Sequence, residues 1–329
     1  MTPVLNSPVL DINGLSVQFS TPEGEVNAVS DVSLSVKRGE CLGIVGESGS
    51  GKSQTFMAAL GLLAKNGSTQ GKVSLNGADI LGASEQELTA IRGNNIAMIF
   101  QDPMTSLTPH MRVGRQLAEV LQRHRGFSST EARDHAIAML RRVQISEPER
   151  RLKMYPHELS GGLRQRVMIA MALLCGPDVV IADEPTTALD VTIQAQILDL
   201  IREVKETLDT AIVLITHDLG VVAGLADRVA VMYAGRIVEQ GDVRDIFYYP
   251  NHPYTRGLLS CTPRLDQAQS DKLHTISGQP PDLQNLPVGC AFSPRCSEVK
   301  ERCQIERPVL SPATHAGNKA CFLSMSAKS

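Results

Sequence analysis

The sequence predicts an α/β fold built on a parallel sheet, on three observations. Two continuous apolar runs of strand length, Val179-Val180-Ile181-Ala182 and Ile212-Val213-Leu214-Ile215, have the composition of strands covered on both faces. Between them Ile193, Ile197, Leu200, Ile201, Val204 and Leu208 recur at helical spacing, with Thr192 near the helix start, so strand, helix and strand follow in order. A third run, Cys41-Leu42-Gly43-Ile44-Val45, leads through Gly46-Glu47-Ser48-Gly49-Ser50-Gly51-Lys52-Ser53 into a helical stretch from Gln54 to Leu63. A glycine-rich turn between strand and helix lets backbone N–H groups close around phosphate oxygens at the positive end of the helix.

The remaining elements follow from the N-terminus. Between about 9 and 40, alternating runs such as Leu15-Ser16-Val17-Gln18-Phe19 and Val32-Ser33-Leu34-Ser35-Val36 read as antiparallel strands that lead into the glycine-rich loop. From 71 to 100 further strand-like pieces end in Ile96-Ala97-Met98-Ile99-Phe100, where Gln101-Asp102-Pro103 breaks the pattern. Residues from about 112 to 145 are polar, Arg-rich and helix-like, and read as a helical insertion standing apart from the main sheet. After about Gly241 prolines crowd the chain, which marks a separate loop-rich region. The expected organisation is a domain over 9–245, with a helical subdomain over about 102–175, followed by a C-terminal region over 246–329 that holds four of the seven cysteines.

At 329 residues the chain can bury a large core and a smaller one. A net charge of -3 gives no electrostatic case for nucleic acid as a partner, and with no tryptophan and 4% aromatics there is no broad stacking platform for single strands. No apolar run approaches the roughly 18 to 20 residues that cross a bilayer, and Met1-Thr2-Pro3-Val4-Leu5-Asn6-Ser7-Pro8 lacks a charged-then-apolar leader pattern. A cytoplasmic protein that meets membranes only through partners is expected.

The motifs carry the chemistry. The loop fits G-x-x-x-x-G-K-[ST]: Gly46, Ser48, Gly49, Ser50 and Gly51 form the cradle, Lys52 sets a cation on the outer phosphates, and Ser53 holds a magnesium ion. Asp183-Glu184 ends a buried strand, where the first carboxylate can complete the magnesium shell and the second can polarise an attacking water. Gln101 follows another apolar strand and can reach both metal and water, although alone it is an ordinary loop glutamine. His217, in Ile215-Thr216-His217-Asp218, can contact the terminal phosphate or orient the water; alone it reads as a turn residue. Leu159-Ser160-Gly161-Gly162-Leu163 opens a helical stretch from Arg164 to Cys175. It reads either as an anion site at a helix start or as a Ser160 cap with no ligand.

Taken together, these motifs resemble the ATP-binding-cassette ATPases over residues 9 to 245: the phosphate loop, Gln101, Leu159 to Leu163, Val179 to Glu184, Ala188-Leu189-Asp190 and His217, all in order. The resemblance implies a P-loop nucleotide-binding domain with an antiparallel β subdomain and a helical subdomain. It also implies head-to-tail pairing, each ATP lying between the phosphate loop of one cassette and Ser160-Gly161-Gly162 of the other. Glu184 is then the general base, His217 the switch histidine, Asp190 part of the loop that crosses the dimer, and Phe19 the candidate for stacking on adenine. Leu163 stands where the family most often has Gln, and peptide-importer members commonly carry an apolar residue there.

A finer resemblance is to the D-type ATPase subunit of bacterial oligopeptide and dipeptide permeases. It is carried by Phe100-Gln101-Asp102-Pro103-Met104-Thr105-Ser106-Leu107, Tyr155-Pro156-His157-Glu158, Ala182 to Val191 and Asn251-His252-Pro253-Tyr254-Thr255, with the tail cysteines. It implies ATP and Mg2+ as cofactors, peptide import as the work driven, and a peripheral position on the cytoplasmic face of the inner membrane. The implied partners are two transmembrane permease subunits, a second homologous ATPase and, through the complex, a periplasmic peptide-binding protein. The loop from about Asp102 to Thr108 would meet the permease subunits.

Cys290, Cys296, Cys303 and Cys321 are separated by five, six and seventeen residues. Four thiolates can hold an iron-sulfur cluster, a zinc ion or nothing, and spacing alone leaves these open. Resemblance to the peptide-permease subunits favours a [4Fe-4S] cluster. Cys41 and Cys175 lie in apolar runs and read as core; Cys261 has no assigned role. The competing readings are a soluble cassette ATPase acting on ribosomes or DNA, a regulatory metal-binding module with an ATP sensor, and an importer ATPase for another substrate such as nickel or glutathione. One cassette, with neither heptads nor a basic stripe, speaks against the first.

Overall fold

Period-two burial builds the first strands, with Leu10, Ile12, Leu15 and Val17 buried along one and Val29, Val32, Leu34 and Val36 along the next. The computed structural model describes residues 7–102, 106–187, 190–261, 275–313 and 317–323. In chain order its strands are β1 Leu10–Thr21, β2 Gly24–Val36, β3 Cys41–Val45, β4 Gly67–Leu75, β5 Ala78–Asp79, β6 Ile96–Ile99, β7 Val179–Asp183, β8 Ala211–Ile215, β9 Arg228–Tyr233, β10 Arg236–Asp242, β11 Ser311–Pro312 and β12 Asn318–Lys319. They belong to two compact units. One comprises Val36–Glu40 and Gly82–Leu214 with the N-terminal residues to Val9, the other Leu10–Ser35, Cys41–Leu81 and Ile215–Ser329.

The second of these units carries the antiparallel sheet β2-β1-β4-β5, in which β1 and β4 pair from Leu10↔Leu75 to Phe19↔Gly67 with a bulge between Asn13 and Ser16. It also carries β3, every residue of which is buried, paired in parallel with β9 from Leu42↔Arg228 to Val45↔Val231. The C-terminal region adds to this strand set: β10 pairs antiparallel with β9, and β12 and β11 extend it from the tail. The region expected to be loop-rich therefore also contains strand, and a helix, Pro253–Ser260, begins with Pro253 in its first turn.

The other unit holds β8, β7 and β6, with β6 and β7 parallel from Ile96↔Val179 to Ile99↔Ala182. The Arg-rich insertion forms two helices. Val113–Arg125 buries Val113, Leu117 and Leu121 at one-turn spacing and ends at Gly126, φ 65°. Ser129–Arg142 starts from a capping box between Ser128 and Glu131. The helix expected between the two apolar runs spans Val191–Leu208 and buries Ile197, Leu200, Ile201 and Val204.

One boundary and one additional helix differ from expectation for local reasons. The helix after the glycine-rich loop spans Lys52–Ala59, because Gly61 at φ 63° turns the chain before Leu63. A helix not expected from the sequence, Glu85–Ile91, sits among the strand-like pieces; a Ser84–Glu87 capping box starts it, and its only buried residue is Leu88.

Candidate active site

The phosphate loop begins where β3 ends. Gly46 has φ 153°, and a Cβ there would lie 2.2 Å from the Met232 carbonyl oxygen; Gly51 has φ 96°, and its Cβ would lie 2.4 Å from that of Ala28. Only glycine fits either position, so the chain folds back tightly between β9 and β2. Gly49, at φ 77°, faces open space, which leaves its backbone approachable. Lys52 is buried, and its Nζ donates to the carbonyls of Gly46 (2.8 Å) and Glu47 (2.9 Å), which holds the ammonium under the loop. The helix it starts has no side-chain cap and no acid in its first turn, so the positive helix end is not cancelled locally; Ser53 sits in that turn. The buried Ser50 Oγ has no hydrogen-bond partner among the described residues.

The same unit holds His217 and Phe19. His217 is exposed just past β8, between Thr216, whose Oγ1 accepts from the Asp218 N–H (3.0 Å), and Asp218, whose carboxylate caps the helix Leu219–Leu225. Phe19, half-buried in β1, lies opposite Gly67, where a Cβ would meet its ring edge at 2.9 Å.

The other unit holds the carboxylates and the Ser-Gly-Gly turn. Asp183 ends β7 and is buried. Glu184, next in the chain, takes φ 46°, a left-handed backbone that costs a non-glycine residue about 1–3 kcal/mol and clusters at functional sites. Its carboxylate accepts from Gln101 Nε2 (3.0 Å) and from Thr187 Oγ1 (2.8 Å). Ser160 caps the helix Gly161–Leu173 by accepting from the Leu163 N–H at 3.4 Å. Gly161 faces open space, whereas a Cβ on Gly162 would meet the Ile193 side chain at 3.0 Å. Gln165 on this helix donates to the Pro185 carbonyl (2.7 Å), which ties the Ser-Gly-Gly helix to the turn that follows Glu184. Asp190 caps the helix Val191–Leu208 by accepting from the Ile193 N–H at 2.9 Å. Ala188 and Leu189, like Pro103, Met104 and Thr105 of the loop expected to meet membrane subunits, lie outside the described residues.

The four tail cysteines line one cavity of about 20 Å³, with His252, Phe292 and Phe322 among its other walls. A backbone bond from the Cys290 N–H to the Cys303 carbonyl (2.8 Å) brings two of them together. All four are free thiols. Burial pushes Cys290 up to about 11, with the neighbouring Cys321, Cys303 and Cys296 adding to the rise, and burial raises Cys296 and Cys321 as well. Among the described residues no three His, Cys, Asp or Glu side chains are gathered closely enough to hold a single metal ion.

A glycine cradle with a buried lysine beneath it, a strand-end Asp-Glu pair and a capped Ser-Gly-Gly helix start define an ATP-binding cassette. Known proteins agree. The family model for the ABC transporter matches residues 29–187, and that for the oligopeptide/dipeptide transporter, C-terminal region, matches 238–303. The oligopeptide transport ATP-binding protein OppD of Salmonella typhimurium is 56% identical over 314 residues, covering 95% of this chain and 93% of that protein. The dipeptide transport ATP-binding protein DppD of Bacillus subtilis is 53% identical over 317 residues, covering 96% and 94%. Among solved structures, the dimeric bacterial ABC transporter cassette MJ0796 aligns with a TM-score of 0.64 at 29% identity, covering 71% of this chain and 99% of that one. A post-hydrolysis dimer of the same cassette bound to ADP and Pi aligns equally well. The chain belongs to the ABC transporter family, within its ATP-binding proteins of oligopeptide and dipeptide transport, and it has the ABC ATPase fold.

Sequence reasoning did not single out Thr187, Gln165, Glu47, Tyr254 or Arg295. Tyr254 lies in the Asn251-His252-Pro253-Tyr254-Thr255 stretch, which served only as a family marker. Arg295 is an isolated arginine 248 positions from its partner, Glu47, and nothing local announces it.

Proposed function

We propose that this chain is the ATP-hydrolysing subunit of a bacterial importer for oligopeptides or dipeptides, held peripherally on the cytoplasmic face of the inner membrane. The observation that carries the reading is similarity over 95% of the chain to an oligopeptide transport ATP-binding protein, extending through the C-terminal region. No helix among the described residues is long and apolar enough to cross a membrane. The partners are two transmembrane permease subunits, a second homologous ATPase and, through the complex, a periplasmic peptide-binding protein.

The residues take the following roles. Gly46, Ser48, Gly49, Ser50 and Gly51 present backbone donors to the phosphates, and Lys52 swings its ammonium from the loop carbonyls to the outer phosphate oxygens. Ser53, Gln101 and Asp183 would hold magnesium; a carboxylate with neutral oxygens is the donor set that a hard cation takes while keeping part of its water shell. When bound, magnesium neutralises charge on the outer phosphates. Glu184 accepts the proton of the attacking water, with Gln101 and Thr187 fixing its carboxylate, and His217 contacts the terminal phosphate. Phe19 stacks on adenine. Ser160, Gly161 and Gly162 close on the ATP held by the partner cassette; exposed Gly161 and capped Ser160 leave that helix end open for it. Asp190 stands in the crossing loop beside Val191, an apolar side chain 82% exposed that suits a covered face.

The tail thiols fit an iron-sulfur cluster by donor type. All four free thiols are among the residues lining one cavity, and cysteine sulfur is the donor that such a cluster would take. Bound there, a [4Fe-4S] group would pin Cys290, Cys296, Cys303 and Cys321 of a proline-rich tail to one another.

The test is uptake of a labelled peptide by cells whose only peptide importer is the one that contains this chain, together with a pull-down from gently solubilised membranes. Uptake lost with Lys52→Ala, and recovery of two permease subunits with a second ATPase, support the reading. Unchanged uptake, or a chain recovered alone, contradicts it. Iron and sulfide content of the purified complex tests the cluster.

A further inference from the structure

We infer that Arg295 and Tyr254, in the C-terminal region, are positioning residues for the phosphate loop and set its affinity for ATP through Glu47. The inference rests on the reading of residues 46–53 as an ATP site.

Glu47 is the second residue of the loop, and each of its polar groups is engaged. Its carbonyl accepts from Lys52 Nζ (2.9 Å) and from the Ser50 N–H (3.2 Å), both inside the loop. Its own N–H donates to Tyr254 Oη (2.8 Å), and its carboxylate receives two parallel bonds from Arg295, Nη1 to Oε2 at 2.6 Å and Nη2 to Oε1 at 2.9 Å. A fork of this kind fixes direction as well as distance. The loop's outer turn is thus held on one side by the phosphate-binding lysine and on the other by two side chains from beyond residue 250.

Those two side chains are themselves fixed. The Arg295 side chain is only 5% exposed; its Nε donates to the Ser277 carbonyl (2.9 Å) and its guanidinium lies over the rings of Tyr233 and Phe292. Tyr254 is fully buried, with its ring 4.6 Å from that of Tyr233 and 5.4 Å from that of Phe292. Behind it, the Asn251 and His252 N–H groups donate to the buried Glu239 carboxylate at 2.5 and 2.9 Å, and the Tyr254 N–H donates to His252 Nδ1 at 3.0 Å. The Asn251-His252-Pro253-Tyr254-Thr255 stretch thereby anchors a hydroxyl from β10 against the loop. A loop preordered in this way does not spend binding energy on ordering itself when a nucleotide arrives.

The experiment measures ATP affinity, KM and kcat for the full purified chain as wild type, Arg295→Gln, Arg295→Lys, Glu47→Gln and the Glu47→Gln/Arg295→Gln double variant, with melting points taken without nucleotide. Arg295→Gln is expected to weaken ATP binding and raise KM about tenfold, the scale of one charge-assisted bond, with kcat within about twofold. Arg295→Lys should recover part of the loss, and the double variant should be no worse than Arg295→Gln alone. Unchanged affinity in a folded Arg295→Gln chain, or losses that simply add in the double variant, overturns the inference. Should Arg295→Gln not fold, Tyr254→Phe keeps the ring and removes only the acceptor for the Glu47 N–H: weaker ATP binding upholds the inference and unchanged binding overturns it. A wild-type chain that binds no ATP would instead overturn the reading of the loop itself.

Discussion

Gln101 Nε2 donates to Glu184 Oε2 at 3.0 Å, so the residue that breaks one strand pattern steers the carboxylate just past the end of the neighbouring parallel strand. Glu184 needs this help. Its left-handed backbone, φ 46°, lies just past the strand's last residue, Asp183, and Thr187 supplies the second bond at 2.8 Å.

Gln101→Ala should therefore lower kcat about a hundredfold, the scale expected when a reacting group loses its placement, while the chain stays folded. Steady-state ATP turnover with a melting curve checks it. A kcat within about twofold of wild type would separate Gln101 from the chemistry.

Ser160 offers two readings that substitution can divide. As a cap only, Ser160→Ala costs about 1 kcal/mol and Ser160→Asp costs almost nothing, because aspartate caps as well as serine. As part of a phosphate-facing helix start, Ser160→Asp brings a negative charge against ATP. Near-native melting and turnover reduced at least about tenfold are expected for Ser160→Asp, the charge clash costing one to two kcal/mol or more.

The glycines of the loop should separate by cause. Gly51→Ala meets the Ala28 carbonyl at 2.4 Å on a backbone of φ 96°, so it should lose several kcal/mol of stability, on the order of a core defect, in denaturant melts. Gly49→Ala has open space and carries only the left-handed penalty of about 1–2 kcal/mol, yet it should weaken ATP binding by crowding the phosphate side of the loop.

Acid should weaken the C-terminal anchor. Burial, then the nearby Arg256 and Lys319 charges, hold His252 neutral and lower its titration from the ordinary 6.5 to about 3. The unfolded chain takes up the proton first as pH falls, so the stability from this site is full above 6.5 and drains away toward 3, on the order of a few kcal/mol across the window. Melting points between pH 7 and 4.5 should fall, and His252→Asn, which retains an acceptor for the Tyr254 N–H, should flatten that dependence.

Legibility in the sequence follows the range of the interaction. Val179 to Asp183, Ala211 to Ile215 and the glycine cradle are readable because their signals are local: continuous apolarity, a fixed loop spacing, a strand-to-helix change. The helix Glu85–Ile91 escapes such a reading because a single buried residue, Leu88, leaves no periodic stripe, although its Ser84–Glu87 capping box is present in the sequence. The role of Asp190 as the cap that accepts from the Ile193 N–H emerges only from the structure. The tie from Glu47 to Arg295 has no sequence signal at all, because a pair 248 residues apart exists only once β9, β10 and the tail have packed together.

Glu184→Gln tests the central claim most directly, since it keeps the shape of the side chain and removes the carboxylate proposed to act as the base. Steady ATP turnover of the chain with its partner subunits should fall at least about a hundredfold, the low end for loss of a general base, while ATP binding stays near wild type and ATP, not ADP, traps paired cassettes. Turnover within about twofold of wild type, or a variant that neither binds ATP nor pairs, would contradict the account.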